Sequence, residues 1–332
     1  MRAPWLLALA AAVVTATSLL PHSVRADDKK YTIAVIPKGT THEYWKSVHA
    51  GAMKAAQETG AEIIWKGPLK EDDRQSQIDT VDNFVNRQVN GICLAPLDDT
   101  ALRAPIRAAK NAGIPVVIFD SGVKGNDYVS LVATDNFKGG QIAGEELARL
   151  INNKGKVIML RYAVGSASTE QREEGFLDAI KKHPDIQVVA DNQYGGATTE
   201  SAYQASENML APLKNADGSL SIDGIYACNE STSFGMLRAL QEGGWAGKIK
   251  YVGFDASTKL VEGLKAGQIN GLVVQNPFKM GYLSVKTMVD KLNGKDVEKR
   301  IDTGATLVTK DNMAQPEIDE LLHPDLAKWL KE

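Results

Sequence analysis

An α/β fold of two doubly wound lobes is predicted by three features of the 332-residue sequence. Short apolar runs rich in β-branched residues alternate with longer amphipathic stretches. That alternation starts afresh about midway along the chain. The runs are also too many for one ordinary sheet, which holds roughly four to six strands. Strand–helix–strand repetition of this kind builds parallel sheets with helices on both faces.

The first series of strands is TIAVIP (32–37), AEIIW (61–65), GICLA (91–95) and IPVVIF (114–119). Each is bounded by Gly, Pro or Asp, as expected for strands buried on both faces. A helix is predicted over 44–59. A second carries Ile78, Val81, Val85 and Val89 at three- and four-residue spacing, and a third over 100–112 stops at Gly113. The second series is KVIML (156–160), IQVVA (186–190), GIYAC (224–228), KYVGF (250–254) and NGLVV (270–274). Helices over 169–182, 198–213, 231–242 and 257–266 lie between them. Gly139 and Gly140 fall in a helical stretch and are expected to let it pack closely against a sheet. No low-complexity linker separates the two series, so short crossings must join the lobes.

Ahead of the first strand stand a basic Met1-Arg2, an apolar stretch over 5–20, Pro21, and Val24-Arg25-Ala26. This is the pattern of a secretory signal cleaved after Ala26. No Cys lies near that point, so a lipid anchor is not indicated. The formal net charge is −3, which speaks against a nucleic-acid partner, since phosphate binding needs a clear excess of Lys and Arg. Two cysteines, Cys93 and Cys228, sit inside strand runs and read as small core residues rather than a disulfide. With five His they offer no metal-ligand spacing, and no cofactor motif is found. There is no GxGxxG after the first strand, no phosphate-loop Lys-Ser/Thr and no GxSxG, so an enzyme is not predicted.

Ligands of open α/β sheets bind at the carboxyl ends of the strands. Lys38, His42, Tyr44 and Trp45 follow the first strand, and Asp120 and Ser121 follow the fourth. In the second series the segment 161–172, with Glu170 and Arg172, follows the first strand. Asn229, Asp255 and Gln275 follow later ones. These are hydrogen-bonding groups with two aromatics beside them and no nucleophile with its base. Hydroxyls donate and accept, and the C–H face of a sugar ring is weakly apolar, so a sugar or polyol suits them. Local roles compete with this: an Asx-turn at Asp120, a helix start at Asp255, a helix cap at Asn229 and Glu230, and core packing for the aromatics.

The runs TIAVIPKGTTHEYWKSVHAGAMKAA, NGICLAPLDDTAL, AGIPVVIFDSG, VATDNFKGGQIAG, REEGF, CNESTSFGMLRAL, YVGFDAS and VVQNPFKMGYLS stand in an order that resembles the ribose-binding-protein-like periplasmic receptors. The likeness spans the chain from about Tyr31 to near its end. It implies the type I periplasmic binding fold: two Rossmann-like lobes joined by three crossings, near Thr134-Asp135, Gln275-Asn276 and Asp302-Thr303-Gly304. It implies an N-terminal lobe of 27–134 plus 276–303, and a C-terminal lobe of 135–275 plus 304–332, after a signal peptide over 1–26. It further implies a periplasmic monomer that closes on a sugar and delivers it to an ABC transporter permease. In such receptors two aromatics after the first strand sandwich the sugar, at the positions of Tyr44 and Trp45. The family's strand-end Asp matches Asp120, its Asn matches Asn229, its later Asp matches Asp255, and its hinge Gln matches Gln275.

Departures from the pattern argue against ribose itself. Ser121 replaces an Arg, Glu170 stands where a sugar-binding Arg is usual, and Ala197 replaces an aromatic. Lys38 is similar to a ligand-contacting Lys of receptors for a furanosyl quorum-sensing signal, which is an alternative ligand. Presentation to a chemoreceptor or sensor kinase would use the same pocket.

Overall fold

The computed structural model describes residues 30–330, together with Met1. The remainder of the predicted signal segment, with its cleavage point, lies outside the described residues.

From the first strand the chain runs β1 (Thr32–Ile36), α1 (Glu43–Thr59), β2 (Glu62–Trp65), α2 (Arg74–Asn86), β3 (Gly91–Leu94), α3 (Arg103–Asn111), β4 (Val116–Phe119) and β5 (Ser130–Ala133). It continues α4 (Asn136–Leu150), β6 (Gly155–Leu160), α5 (Ala167–Ile180), β7 (Ile186–Ala190), α6 (Thr199–Leu210), β8 (Gly224–Ala227), α7 (Glu230–Glu242), β9 (Lys250–Phe254), α8 (Thr258–Lys265) and β10 (Gly271–Gln275). Last come α9 (Pro277–Leu292), β11 (Arg300–Asp302), β12 (Ala305–Val308), α10 (Pro316–Leu322) and α11 (Ala327–Leu330).

Two six-stranded sheets result, ordered β11-β5-β4-β3-β1-β2 and β12-β10-β9-β8-β6-β7. All pairings are parallel except β12, which runs antiparallel to β10. The inner strands are apolar on both faces because helices cover both. In the first lobe Val35, Cys93, Val117 and Phe119 pack on one side, and Ala34, Ile36, Ile92 and Ile118 on the other. Cys93 and Cys228 are free thiols buried in different lobes.

Three strands escape the apolar-run reading. β5 is four residues long, β11 holds Arg300 and Asp302, and β12 is an edge strand that is only half-buried. The predicted helix over 100–112 begins at Arg103, and the one over 198–213 ends in a separate turn of 3₁₀-helix at 211–213.

The chain passes between the sheets at 134–135, at 276 and at 303–304. The outer two passages are stitched together. Thr134 Oγ1 lies 3.3 Å from Thr303 Oγ1, and Asp302 accepts the backbone N–H groups of Asp135 and Gly304. After the second passage α9 returns to the first lobe and packs against α1.

That pair, and α4 with α5 in the second lobe, meet backbone to backbone. A Cβ added at Gly51 would fall on the carbonyl oxygen of Phe278, and one at Gly281 on that of Val48. Likewise Gly140 abuts the carbonyl of Arg172, and Gly175 that of Phe137. Gly139 faces the ring of Phe254 on β9, as expected of a helix against a sheet, but its neighbour Gly140 serves a helix–helix crossing instead.

The chain end departs from the expected assignment of 304–332 to the second lobe. Ile318 and Leu322 of α10 join that lobe's core. α11 then crosses to the first lobe, where the Trp329 ring lies 6.3 Å from Phe278 and 5.9 Å from the Lys54 ammonium. An amphiphilic aromatic that can cover both a ring and a cation drives that return.

Candidate functional site

The carboxyl ends of the two sheets face each other across a narrow cleft, which leaves a cavity of about 20 Å³. From the first lobe it is lined by Lys38, His42, Tyr44, Trp45, Glu71 and Asp120, and from the second by Tyr162, Ser168, Thr169, Arg172, Asn229, Glu230, Asp255 and Gln275.

In the first lobe, Lys38 follows β1 and Asp120 follows β4. Their ammonium and carboxylate lie 3.1 Å apart, and both residues are buried. Tyr44 donates its hydroxyl to the other oxygen of Asp120 at 2.8 Å. Asp120 sits at φ 62°, in the left-handed region that Asp and Asn enter more readily than other non-glycine residues.

Asp255 mirrors it after β9, at φ 70°. Its oxygens accept from Gln275 Nε2 at 2.7 Å and from the backbone N–H of Glu230 at 3.0 Å. Its cation, Arg172, is further off at 3.8 Å. The Arg172 guanidinium lies over the Phe254 ring and donates to Asn136 and to the Cys228 carbonyl. Burial raises the Asp255 carboxyl above its ordinary pKa, against the pull of Arg172 and Gln275. Gln275 Oε1 is fully buried and accepts from no group among the described residues. A buried acceptor of this kind is a place for a ligand hydroxyl.

Asn229 lines the cavity but is also the cap of α7, accepting the N–H of Thr232 at 3.2 Å. Tyr44 and Trp45 are both buried, and their rings meet edge to face at 89°. They do not offer the two parallel faces that the resemblance implies. Trp45 donates Nε1 to Glu71, and that bond turns its ring.

Two predicted residues are not brought to the cavity wall. Ser121 Oγ accepts the Ser168 N–H at 3.1 Å, and Glu170 accepts the Gly165 N–H at 2.7 Å. Both are spent on holding the 161–168 loop.

Glu71 lies six residues beyond β2, too far along the chain to read as a strand-end group. It accepts from Trp45 Nε1, from His42 Nδ1 at 2.9 Å, and across the cleft from the Tyr162 hydroxyl at 2.7 Å. Burial alone would raise its pKa, but His42, aided by Lys38 and the Trp45 N–H, holds it down at about 2. Glu230, noted in sequence only as part of a helix cap, reaches from the second lobe to the start of α1. There it accepts the N–H groups of Glu43 and Tyr44 at 3.2 and 3.1 Å. Burial pushes its carboxyl up to about 7, against the nearby His42 and those two N–H groups. A carboxylate at a helix N-terminus is favoured by the helix dipole. Lys38 also crosses the cleft, donating to Ser168 Oγ at 3.0 Å.

The chain is similar to known proteins over most of its length. A family model described as a periplasmic binding protein domain matches residues 33–296. The ribose import binding protein of Bacillus subtilis is 26% identical over 311 residues, which is 92% of this chain and 97% of that protein. Among solved structures, a solute binding protein of an ABC transporter from Agrobacterium vitis, with bound D-fucose, is 36% identical with a TM-score of 0.83. The match covers 88% of this chain and all of that one (100%). A carbohydrate transporter solute binding protein from Agrobacterium radiobacter, in complex with D-arabinose, is 35% identical with a TM-score of 0.84. That match covers 89% of this chain and 99% of the other.

Proposed function

Since the chain belongs to the family of periplasmic binding protein domains, we propose that it captures a monosaccharide or polyol between its lobes and hands it to the permease of an ABC importer. One observation carries this reading: a charged pair from each lobe, Lys38–Asp120 and Arg172–Asp255, converges on one cavity beside the unpartnered Gln275 Oε1. Neutral hydroxyls can be shared among such groups without adding a further charge to the cleft. Nothing in the set needs to do more than bind and release.

Ligand pockets for small molecules occupy about 300–1,000 Å³. A cavity of about 20 Å³ is far smaller, so the lobes part to admit the sugar. A ligand that touches both lobes binds the drawn-together form better and shifts the population toward it. The permease then reads a protein surface that exists only when the lobes are together. Such a role places the protein in the periplasm.

A thermal-shift screen of the purified protein against D-ribose, D-arabinose, D-fucose and xylitol tests the proposal. Binding at a hundredfold excess over Kd adds about 2.7 kcal/mol of stability, which raises the melting temperature by several degrees. A shift with at least one of them is expected. Flat melting curves with all four, up to 100-fold above ordinary periplasmic-receptor affinities, would remove sugars and polyols as the ligand class.

A further inference from the structure

His42 lines the cavity, yet both of its ring nitrogens are already committed to protein. Nδ1 lies 2.9 Å from the Glu71 carboxylate in its own lobe, and Nε2 lies 3.1 Å from the carbonyl oxygen of Ala197 in the other. A neutral imidazole has a single N–H, so only the doubly protonated ring satisfies both acceptors. Although His42 is the N-cap residue of α1, its side chain caps nothing there. The helix N-terminus is served instead by Glu230 from across the cleft.

We propose that His42 is a cationic clasp between the lobes rather than a ligand contact, joining Glu71 of the first lobe to the Ala197 carbonyl of the second. This rests on the reading of the cleft as one that opens and closes. The charged groups facing the ring are Glu71 from the segment after β2 and Glu230 from the start of α7. Lys38 acts on Glu71 in turn, and the Tyr162 hydroxyl occupies the second Glu71 oxygen. The Glu43 carboxylate is turned away, to Thr258. Burial opposes the charge on His42, but the Glu71 carboxylate, aided by Glu230, holds the ring's pKa up at about 10.

Opening the cleft takes away Ala197 and Glu230 and leaves only Glu71, but it also relieves part of the burial that opposes the charge. These changes act on the ring's proton in opposite directions, so the clasp shows itself in the cross-lobe contact and not in the pH dependence of closure. Ala197 stands where the resemblance expects an aromatic, so in this chain a backbone carbonyl, not a ring, closes that wall.

Distances between spin labels at L69C and V164C measure closure directly. Leu69 and Val164 are exposed loop residues, one on each lobe, and the native thiols are buried. The measurement is made at pH 7, without sugar and with each of the four sugars and polyols above. In the parent a short-distance population is expected. In H42Q and H42F it should fall about tenfold, the worth of one charge-assisted hydrogen bond. E71Q is read alongside, in case either ring replacement lowers the melting temperature enough to unfold the protein.

Equal distributions in parent and variants overturn the clasp. So does a parent that shows no short-distance population under any condition. If no sugar shifts the melting temperature while the short-distance population still depends on His42, the clasp stands and the sugar reading fails.

Discussion

The two halves of the cleft are built to one plan and differ in how tightly each carboxylate is matched. Asp120 and Asp255 both follow a strand, both take a left-handed backbone, and both face the same cavity. Asp120 is bound directly by an ammonium and a phenol hydroxyl. Asp255 is held by an amide and a backbone N–H, with its cation 3.8 Å away and occupied elsewhere. The first half-site is therefore a closed ion pair. The second is a carboxyl whose charge is only partly compensated, which is why burial raises its pKa. Ligand discrimination should depend more on the second half, where Gln275 keeps an acceptor open.

Breaking the first half-site is expected to have the largest effect. Lys38→Met leaves the Asp120 carboxylate buried with only Tyr44 for a partner. Loss of one member of a buried pair costs about 3–5 kcal/mol, which urea denaturation would show as a lower midpoint. A midpoint within error of the parent would mean that Lys38 and Asp120 are not paired in solution.

The next effect is on acid stability and belongs to Glu71 on the same side. Its pKa is about 2 in the folded chain against an ordinary 4.5. It therefore contributes stability above pH 4.5 that is lost as pH falls toward 2, a contribution of about 3 kcal/mol. Glu71→Gln should flatten the stability profile between pH 4.5 and 2. A profile as steep as the parent's would move the acid sensitivity to another carboxylate.

The helix crossings behind the half-sites sharpen the comparison from a different direction. Gly51→Ala and Gly140→Ala each place a methyl on a backbone carbonyl and should each destabilise by about 1–3 kcal/mol. Similar losses in thermal melts would show the two lobes to be equally rigid. Strongly unequal ones would mean that one helix pair can slide apart.

The smallest effect is expected at the second half-site. Asp255→Asn keeps the shape and removes a charge that burial already disfavours, so stability should change by less than about 1 kcal/mol. A loss as large as that of Lys38→Met would show that Arg172 depends on Asp255 more than the 3.8 Å separation suggests.

Most of the sheet was legible because parallel strands covered on both faces must be apolar on both, and runs such as GIYA and VVIF say so without context. The strands that were not legible sit at edges or beside the crossings, where residues like Arg300 and Asp302 answer to water and to neighbouring turns. The same contrast holds in the cleft. Lys38, Asp120, Arg172, Asp255 and Gln275 could be picked out by their places after strands or in the segment following one. Glu71 lies six residues beyond β2, and it reaches the cavity only because His42, Trp45 and Tyr162 gather around it. Ser121 and Glu170 occupy strand-end positions too, yet nearby N–H groups claim them first. Position along a strand shows which residues can reach a cleft. It does not show which local donors will intercept them.

The return of α11 to the first lobe sets a limit on travel. Between the end of α10 in one lobe and the start of α11 on the other lie only residues 323–326. The five Cα–Cα steps from Leu322 to Ala327, drawn out straight, reach no more than about 18 Å. Unless Trp329 lets go of Phe278 and Lys54, the lobes can swing apart on that side only until this short cord is taut. The swing then ends at a stop set by chain length rather than by the strength of any contact in the cleft.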